Sequence, residues 1–388
     1  MSLLILRSRK SSLVAFRAGK PRPVGGELHV TGSPYNPSRS ECDAPLIVTN
    51  NFSTKDEIMF LAGDIGGTKT TLALYSREQG ARRPLAERTF PSTEYSGLEA
   101  IVDEFLKSEK CVVTHAAFGI AGPITGRAVK TTNLPWVVSE EKIAEKLKVK
   151  HAHLINDLEA VASGVPLLHE DDLVTLNEGK SADGGAVGVI APGTGLGEAF
   201  LTFDGSRYRA HASEGGHADF APTGEVEIEL LRYLRKKYDH VSYERVCSGM
   251  AIPDIYEFLR DAGYGTEPEW LVDELSGVAD ATPVIVRGAI DEAKSCELCT
   301  AALEIFVSVL GAEAGNLALK VMATGGLYIG GGIPPRIISL LEAPSFFKAF
   351  KNKGRYSDLM ARIPLHVITN PKAALIGAAF YGLEIITL

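Results

Sequence analysis

The 388-residue chain has little cysteine, few aromatic side chains and no long uninterrupted apolar run. None of its apolar stretches reaches the roughly 20 consecutive residues of a membrane helix, which excludes a membrane-spanning chain at this level. Five cysteines (Cys42, Cys111, Cys247, Cys296, Cys299) are too few and odd in number for a disulfide framework, and fit a reducing compartment. Cys296 and Cys299 have C-x-x-C spacing, but no second pair or nearby histidine completes a zinc site. They read as packing positions within a helical pattern over 289–310. Positive charge is also in deficit: a net charge of −8 gives no general attraction for nucleic acid or an anionic membrane. What remains, 45% hydrophobic and 23% charged residues, is a globular composition. The length suffices for two domains and an appendage.

Acidic residues are missing from the first 26 positions, which instead hold Arg7, Arg9, Lys10, Arg17, Lys20 and Arg22 among frequent serines. That is the composition of an organelle transit peptide; the alternative is an N-terminal tail without an address. Linker-like Gly32 to Pro37 and Asn50 to Asp56 follow, so residues 1–57 read as a disordered or targeting extension. The expected location is intracellular and cytoplasmic, with a plastid or mitochondrion as the alternative. Asn51-Phe52-Ser53 matches a glycosylation sequon, but no secretory signal precedes it, and it reads as chance.

Beyond the extension, glycine turns punctuate the chain. Apolar runs on either side of Gly63-Asp64-Ile65-Gly66-Gly67-Thr68-Lys69-Thr70 predict a β-hairpin. Its backbone N–H groups can form an anion-binding concavity, with Asp64 at the strand end facing a metal ion; the plainer reading is a hairpin with a solvated Asp and Lys. A helix over 97–106, a buried strand over 111–120 and a turn over 121–126 follow. Thr132 to Trp136 is a polar and aromatic turn, and Ser139 is expected to cap a helix ending at Leu147. A short strand at His153 to Ile155 delivers Asn156 and Asp157, the end of an α/β strand where ligands are held. Asp157 also reads as a plain helix N-cap.

The second half repeats the strand, turn, strand layout. Ala186 to Ala191 runs into Pro192-Gly193-Thr194-Gly195-Leu196-Gly197 and then Ala199 to Phe203, which implies a duplicated domain with one phosphate turn in each half. Neither turn is a Walker A loop, and Glu198 stands where G-x-G-x-x-G needs its last glycine. Ser213-Glu214-Gly215-Gly216-His217-Ala218-Asp219-Phe220 can converge Glu214 and His217 on one small polar ligand. Thr223 is expected to cap a helix to Lys237, and His240 to Gly249 places Glu244 before another turn. Helical patterns over 251–261 and 282–320 lead to Leu327-Tyr328-Ile329-Gly330-Gly331-Gly332-Ile333-Pro334-Pro335, a platform suited to a nucleotide base. A helix of small residues from Asn370 to Ala379 closes the chain.

GDIGGTKT, INDLEAVASG, APGTGLG, EGGHADFAP, SYERVCSG and YIGGGIPP, in this order between about Phe60 and Tyr381, resemble bacterial-type glucokinases, above all those of cyanobacteria. The cysteine-rich zinc motif of the wider ROK sugar kinases is missing. The resemblance implies an α/β, two-lobed, actin-like (ribonuclease H-like) sugar kinase fold with a central ligand cleft. Residues 58–167 plus 369–388 would form a small domain and 168–368 a large one. It implies ATP-dependent phosphorylation of D-glucose at the C6 hydroxyl, the first step of glycolysis, with ATP and Mg2+ as cofactors and a homodimer as the assembly. By the same match Asp157 is the catalytic base, while Asn156, Glu214, His217 and Glu244 bind glucose hydroxyls. Asp64 would face magnesium through water. Gly66, Gly67, Thr68 and Lys69 with Gly193, Thr194 and Gly195 would face the phosphates, and Gly331 with Gly332 the adenosine. The competing expectations are a kinase for another hexose (mannose or N-acetylglucosamine), a sugar-responsive regulator, and an actin-like ATPase that moves a partner. Polyphosphate in place of ATP is the open alternative for the donor.

Overall fold

Apolar runs separated by glycine turns fold as two β-meanders, each extended by parallel strands at its inner side. The computed structural model describes residues 59–385 except 110, 132 and 133. The extension over 1–57, Cys42, the sequon at Asn51 and the Thr132-Asn133 half of the aromatic turn lie outside the described residues. In chain order, β1 (Met59–Ile65), β2 (Lys69–Ser76) and β3 (Ala86–Pro91) lead to α1 (Leu98–Glu109) and β4 (His115–Ile120). A ribbon of β5 (Ala128–Lys130) and β6 (Val137–Ser139) precedes α2 (Glu140–Leu147), β7 (Ala152–Asn156) and α3 (Asp157–Gly164). Then come β8 (Leu173–Asn177), β9 (Val187–Pro192), β10 (Leu196–Phe203) and β11 (Tyr208–Ser213). The helices α4 (Glu225–Leu234), α5 (Ala251–Asp261), α6 (Glu269–Ser276), α7 (Thr282–Ile290) and α8 (Glu297–Val321) follow. The chain ends with β12 (Gly326–Ile329), α9 (Ile338–Leu341), α10 (Pro344–Lys351), α11 (Ser357–Met360), β13 (Leu365–Ile368) and α12 (Ala373–Ile385).

The two main sheets share one plan. The first has the order β3-β2-β1-β4-β7 and the second β11-β10-β9-β12-β13-β8. In each, the first strand of an antiparallel meander pairs in parallel with a further strand, which pairs in parallel with the next; β8 adds an antiparallel edge to the second. The repeat of strand, turn and strand seen in the sequence is therefore a repeat of topology. Parallel register sets Asp64 beside Gly119 and Ile120 beside Asn156, so the acidic and amide side chains share the carboxyl end of the first sheet. Ligands gather at such an edge.

Between the sheets lie α3 and α12. One small-residue cluster joins Phe60, Ala62, Ala73 and Tyr75 of the first sheet to Ala160, Leu375, Ala378 and Ala379. Another joins Val187, Val189, Ala199 and Leu201 of the second sheet to Ala162 and Ala373. The helices approach closely because Gly377 lies against the Ala160 carbonyl, where any Cβ would collide. On their outer faces the sheets carry larger cores, with Phe105 and Phe118 on one and Phe306, Phe346 and Leu310 on the other. Each such side chain contributes roughly 1.5–3 kcal/mol on burial.

Several local expectations change in the structure. The strand predicted from Cys111 starts at His115, and Val112 is 83% exposed. The helical pattern over 289–310 is broken: α7 ends at Ile290 and α8 begins at Glu297, with Cys296 and Cys299 buried as packing groups. Ser139 precedes α2 without a side-chain cap. Glu140 instead turns inward, accepting from the Leu154 N–H at 3.0 Å and from Arg127 Nε at 2.6 Å. Thr223 does not cap α4 either; its N–H and hydroxyl both donate to Glu227. Helix α8, at 25 residues, is long and apolar enough to cross a membrane by composition, and it lies buried at the centre of the second core.

Two chain crossings link the sheets, at 165–172 and 369–372, and Asp172 ties them together. Its carboxylate accepts from Arg82 Nη1 at 2.7 Å, the His169 N–H at 2.8 Å and Asn370 Nδ2 at 2.8 Å. Burial opposes ionisation, yet these donors hold the carboxyl down to about 2. A depressed value means that the stabilisation is present at neutral pH and is lost as pH falls through about 2. Asp172→Ala is expected to lower unfolding stability by roughly 2–3 kcal/mol, the scale of hydrogen bonds to a charged group. A urea titration at pH 7 measures this, and an unchanged midpoint would show that the crossings do not depend on the node.

Candidate active site

Strand ends and helix starts bring the polar residues together. Asp64 is the penultimate residue of β1, just before the Gly66 turn, whose N–H donates to the Lys69 carbonyl at 3.0 Å. That turn is buttressed by Ser92, whose hydroxyl donates to the Gly66 carbonyl at 2.8 Å and whose N–H donates to the Thr68 carbonyl at 2.9 Å. Ser92 was invisible to motif reading because it comes from a neighbouring strand end. Neither Gly66 nor Gly67 adopts a left-handed conformation. Gly67 is half-buried, Thr68 lies exposed at the tip, and Lys69 opens β2 with an exposed side chain. Burial and the charge of Asp157 push the Asp64 carboxyl up to about 6, while Lys69 opposes the shift.

Asn156 ends β7 and is the N-cap of α3: its Oδ1 accepts from the N–H groups of Leu158 at 2.9 Å and Glu159 at 3.3 Å. The N-cap position weighed for Asp157 belongs to its neighbour, although the Leu158 N–H also donates to Asp157 Oδ1 at 2.9 Å. Asp157 occupies the first helical position, and burial, with a further contribution from Glu214, raises its pKa. A buried carboxylate with a raised pKa is a better proton acceptor than one in water.

Glu214, His217 and Glu244 meet because two short turns are stitched together. The Glu214 segment opens a 3-10 turn over Gly215–His217, and Glu244 sits in another over Tyr243–Arg245. The Tyr243 N–H donates to the Ala218 carbonyl and the Phe220 N–H to the Val241 carbonyl, each at 3.0 Å. His217 Nε2 then lies 3.8 Å from Glu214 and its Nδ1 3.9 Å from Glu244. Both side chains of the first turn are more than half exposed, ready for a ligand, whereas the Glu244 side chain is 18% exposed.

The second glycine turn touches this acidic group from below. Glu244 accepts the Leu196 N–H at 3.0 Å, and a Cβ at Gly195 would collide with the same carboxylate. Gly197 gives way in the same manner to Leu158, the neighbour of Asp157. The first and second sheets are thus linked at the site by charge, Asp157 acting on Asp64 and Glu214 on Asp157, and by contacts from Glu214 through His217 and Glu244 to Gly195. On its other side the turn borders a cavity of about 1270 Å³, lined among others by Gly193, Thr194, Gly249, Met250, Thr282 and Gly332. Asp64, Asp157, Glu214 and Glu244 do not line that cavity, so Gly193 to Gly195 is the seam between two compartments. Gly331 needs its glycine: at φ +88° it lies against the Pro192 carbonyl, where a Cβ would collide. The cavity walls from α5 and α7 were not readable as a motif, because Met250, Asp280, Thr282 and Arg336 come from separate segments.

Comparison with known proteins gives the family and the fold. The Glucokinase family model matches residues 61–384. A glucokinase of a cyanobacterium, Nostoc sp., is 42% identical over 337 residues, covering 83% of this chain and 98% of the relative. The crystal structure of a glucokinase from an Antarctic psychrotroph matches with a TM-score of 0.70 at 31% identity, over 83% of this chain and 98% of that one. A ROK family glucokinase from Streptomyces griseus, solved with glucose and AMPPNP, matches in fold with a TM-score of 0.56 at 20% identity, over 84% of this chain and 99% of that one. The architecture is that of the actin-like sugar kinases. With nearly the whole described chain covered by the family model and 42% identity to a full-length relative, the protein belongs to the glucokinase family.

Proposed function

We infer that the protein transfers the terminal phosphoryl group of ATP to the C6 hydroxyl of D-glucose, giving glucose 6-phosphate and ADP. The observation that carries this reading is the meeting of Asp64, Asp157, Glu214, His217 and Glu244 beside a glycine turn that walls a nucleotide-sized cavity. A sugar presents hydroxyls that both donate and accept. Glu214 and Glu244 accept from them, His217 donates or accepts, and the Asn156 amide donates while its oxygen stays committed to the helix cap. Asp157, raised by burial, takes the C6 proton as the oxygen attacks. Phosphoryl transfer needs positioning and charge stabilisation more than covalent help. The Gly66 to Lys69 and Gly193 to Gly195 turns supply backbone N–H groups and little bulk, and Gly331 and Gly332 flank the base. Residues 58–167 with 369–388 and residues 168–368 act as two lobes that close on the sugar, and closure keeps water from the phosphoryl group.

Among the described residues no cluster of three or more His, Cys, Asp or Glu is arranged to hold a metal ion. That fits Mg2+ arriving with the nucleotide, because magnesium keeps its waters and binds through one or two carboxylates plus phosphate oxygens. Asp64 is the carboxylate that would face it, and the ion would neutralise charge on the transferring phosphoryl group.

In a coupled assay with ATP and a panel of hexoses, glucose is expected to be the preferred substrate, and excess chelator is expected to abolish product formation. Turnover that survives the chelator, or preference for mannose or N-acetylglucosamine, would overturn this assignment. A pH profile follows from Asp64. Its folded value of about 6 lies above that of an unfolded aspartate, so this group stabilises the ligand-free fold at low pH and the contribution is lost as pH rises through about 6. Activity has the opposite sign, since magnesium needs the carboxylate. With glucose saturating, kcat/KM for MgATP is expected to fall about tenfold per unit once the pH is below Asp64's value. A profile flat down to pH 5 would remove Asp64 from metal binding.

A further inference from the structure

Beneath the turn that carries Glu214 and His217 lies a pair of acids that the reaction does not use. Glu198 on β10 is 1% exposed and Glu313 on α8 is fully buried. Strand register places Glu198 across from Ser213 on one side and Ile190 on the other. A Cβ at Gly215 would collide with the Glu198 carboxyl, so the sugar-binding turn rests directly on this side chain. The charge of Glu313 acts on Glu198, and both acids act on the buried Cys247, which places the two carboxyls as neighbours.

The groups facing the pair leave it short of compensating charge. Lys320 Nζ lies 3.1 Å from Glu313 Oε1, and Asn316 Nδ2 donates to Glu313 Oε2 at 2.7 Å. Lys353 reaches only Asn316 Oδ1 at 2.6 Å and the Ala312 carbonyl at 2.8 Å. Tyr243 from the second sugar-site turn and Cys247 just after it also feel the pair, and burial first, then Glu313, pushes both up so that they stay neutral. Neither lysine bonds Glu198: Lys320 pairs with Glu313, and Lys353 is spent on Asn316 and the Ala312 carbonyl. Glu198 Oε1 is buried without a partner among the described residues. Isolating an ionised carboxylate in that way costs several kcal/mol, while a neutral acid tolerates it.

We propose that Glu198 and Glu313 share one proton, and that this protonated pair is the floor that positions Glu214 and His217 for the sugar. Glu198 touches no substrate; it is a positioning residue acting through the backbone of Gly215. The inference rests on the assignment of Glu214 and His217 as sugar ligands. Burial first, and then the charge of Glu313, raise Glu198 to about 8, with Lys320 pulling the other way. A raised carboxyl stabilises the fold fully below the unfolded value, and that contribution is lost as pH rises through about 8. Once Glu198 ionises, two buried negative charges lie in contact under the turn, an arrangement that two carboxylates sharing a site avoid. The turn is then displaced from its seat, and glucose binding weakens while the phosphate turns stay in place.

The test is glucose binding by calorimetry at pH 7 and pH 9, without nucleotide, so that proton transfer by Asp157 is not read. If only the protonated form binds, wild-type affinity is expected to drop about tenfold between the two pH values. kcat at saturating glucose is expected to change much less. Glu198→Gln, which keeps a donor to Glu313 but cannot ionise, is expected to bind equally at both pH values. Glu313→Gln, which leaves at most one charge in the pair, is expected to flatten the profile as well. Equal wild-type affinity at pH 7 and 9, or the wild-type loss persisting in both variants, would overturn the proposal. Absence of glucose binding even at pH 7 would overturn the sugar-site assignment itself, and the proposal with it.

Discussion

Negative charges crowded at the ends of strands cost free energy, and the structure is arranged around bearing that cost. Asp157 raises Asp64, Glu214 adds to Asp157, and Glu214 and Glu244 both lie within reach of His217. Only Lys69 opposes the charge on Asp64 from within the group. A carboxylate cluster of this kind would spread apart on a soft scaffold. Here each member is pinned by backbone: the Asn156 cap on α3, the Leu196 N–H on Glu244, the stitched turns beneath Glu214 and His217. On the proposed reading, a magnesium ion entering with the nucleotide would relieve the remaining imbalance, and the cost of crowding would be converted into affinity for it.

Close backbone approach is what makes the pinning possible. The middle layer of α3 and α12 brings both sheets to one line because Gly377 and Gly164 let the helices meet backbone to backbone. At the seam, Gly195 and Gly197 yield to Glu244 and Leu158. The Gly249 N–H straps the Gly193 carbonyl at 2.7 Å, tying the segment after Glu244 to the wall of the cavity. One turn thereby serves two compartments, and a change in either reaches the other through a few backbone atoms.

Local pattern carried much of this. Both glycine hairpins, the strand delivering Asn156 and Asp157, and the order of the site segments follow from apolar runs and turn residues, and the shared sheet topology bears out the repeat. What local pattern did not carry were the choices made by distant partners. Asn156 rather than Asp157 caps α3; Glu140 and Glu227 draw the hydrogen bonds expected of Ser139 and Thr223. The break between α7 and α8 is bridged by a bond from the Cys296 N–H to the Gly288 carbonyl, a contact between segments rather than a sequence signal. Glu198 read only as an obstacle to a dinucleotide motif. Its partner Glu313 lies on another element, and no spacing rule connects the two.

The central claim is that Asp157 is the proton acceptor of the reaction and not a structural group, and one substitution separates these roles. Because Asn156 caps α3, Asp157→Asn leaves the cap intact, and an amide keeps hydrogen bonding to a hydroxyl without accepting its proton. Turnover with glucose and MgATP measured for Asp157→Asn should fall by roughly 10²–10⁴-fold, the usual contribution of a positioned base. Glucose affinity and melting temperature should stay near wild type. A variant that folds, binds glucose and retains most of its turnover would contradict the account.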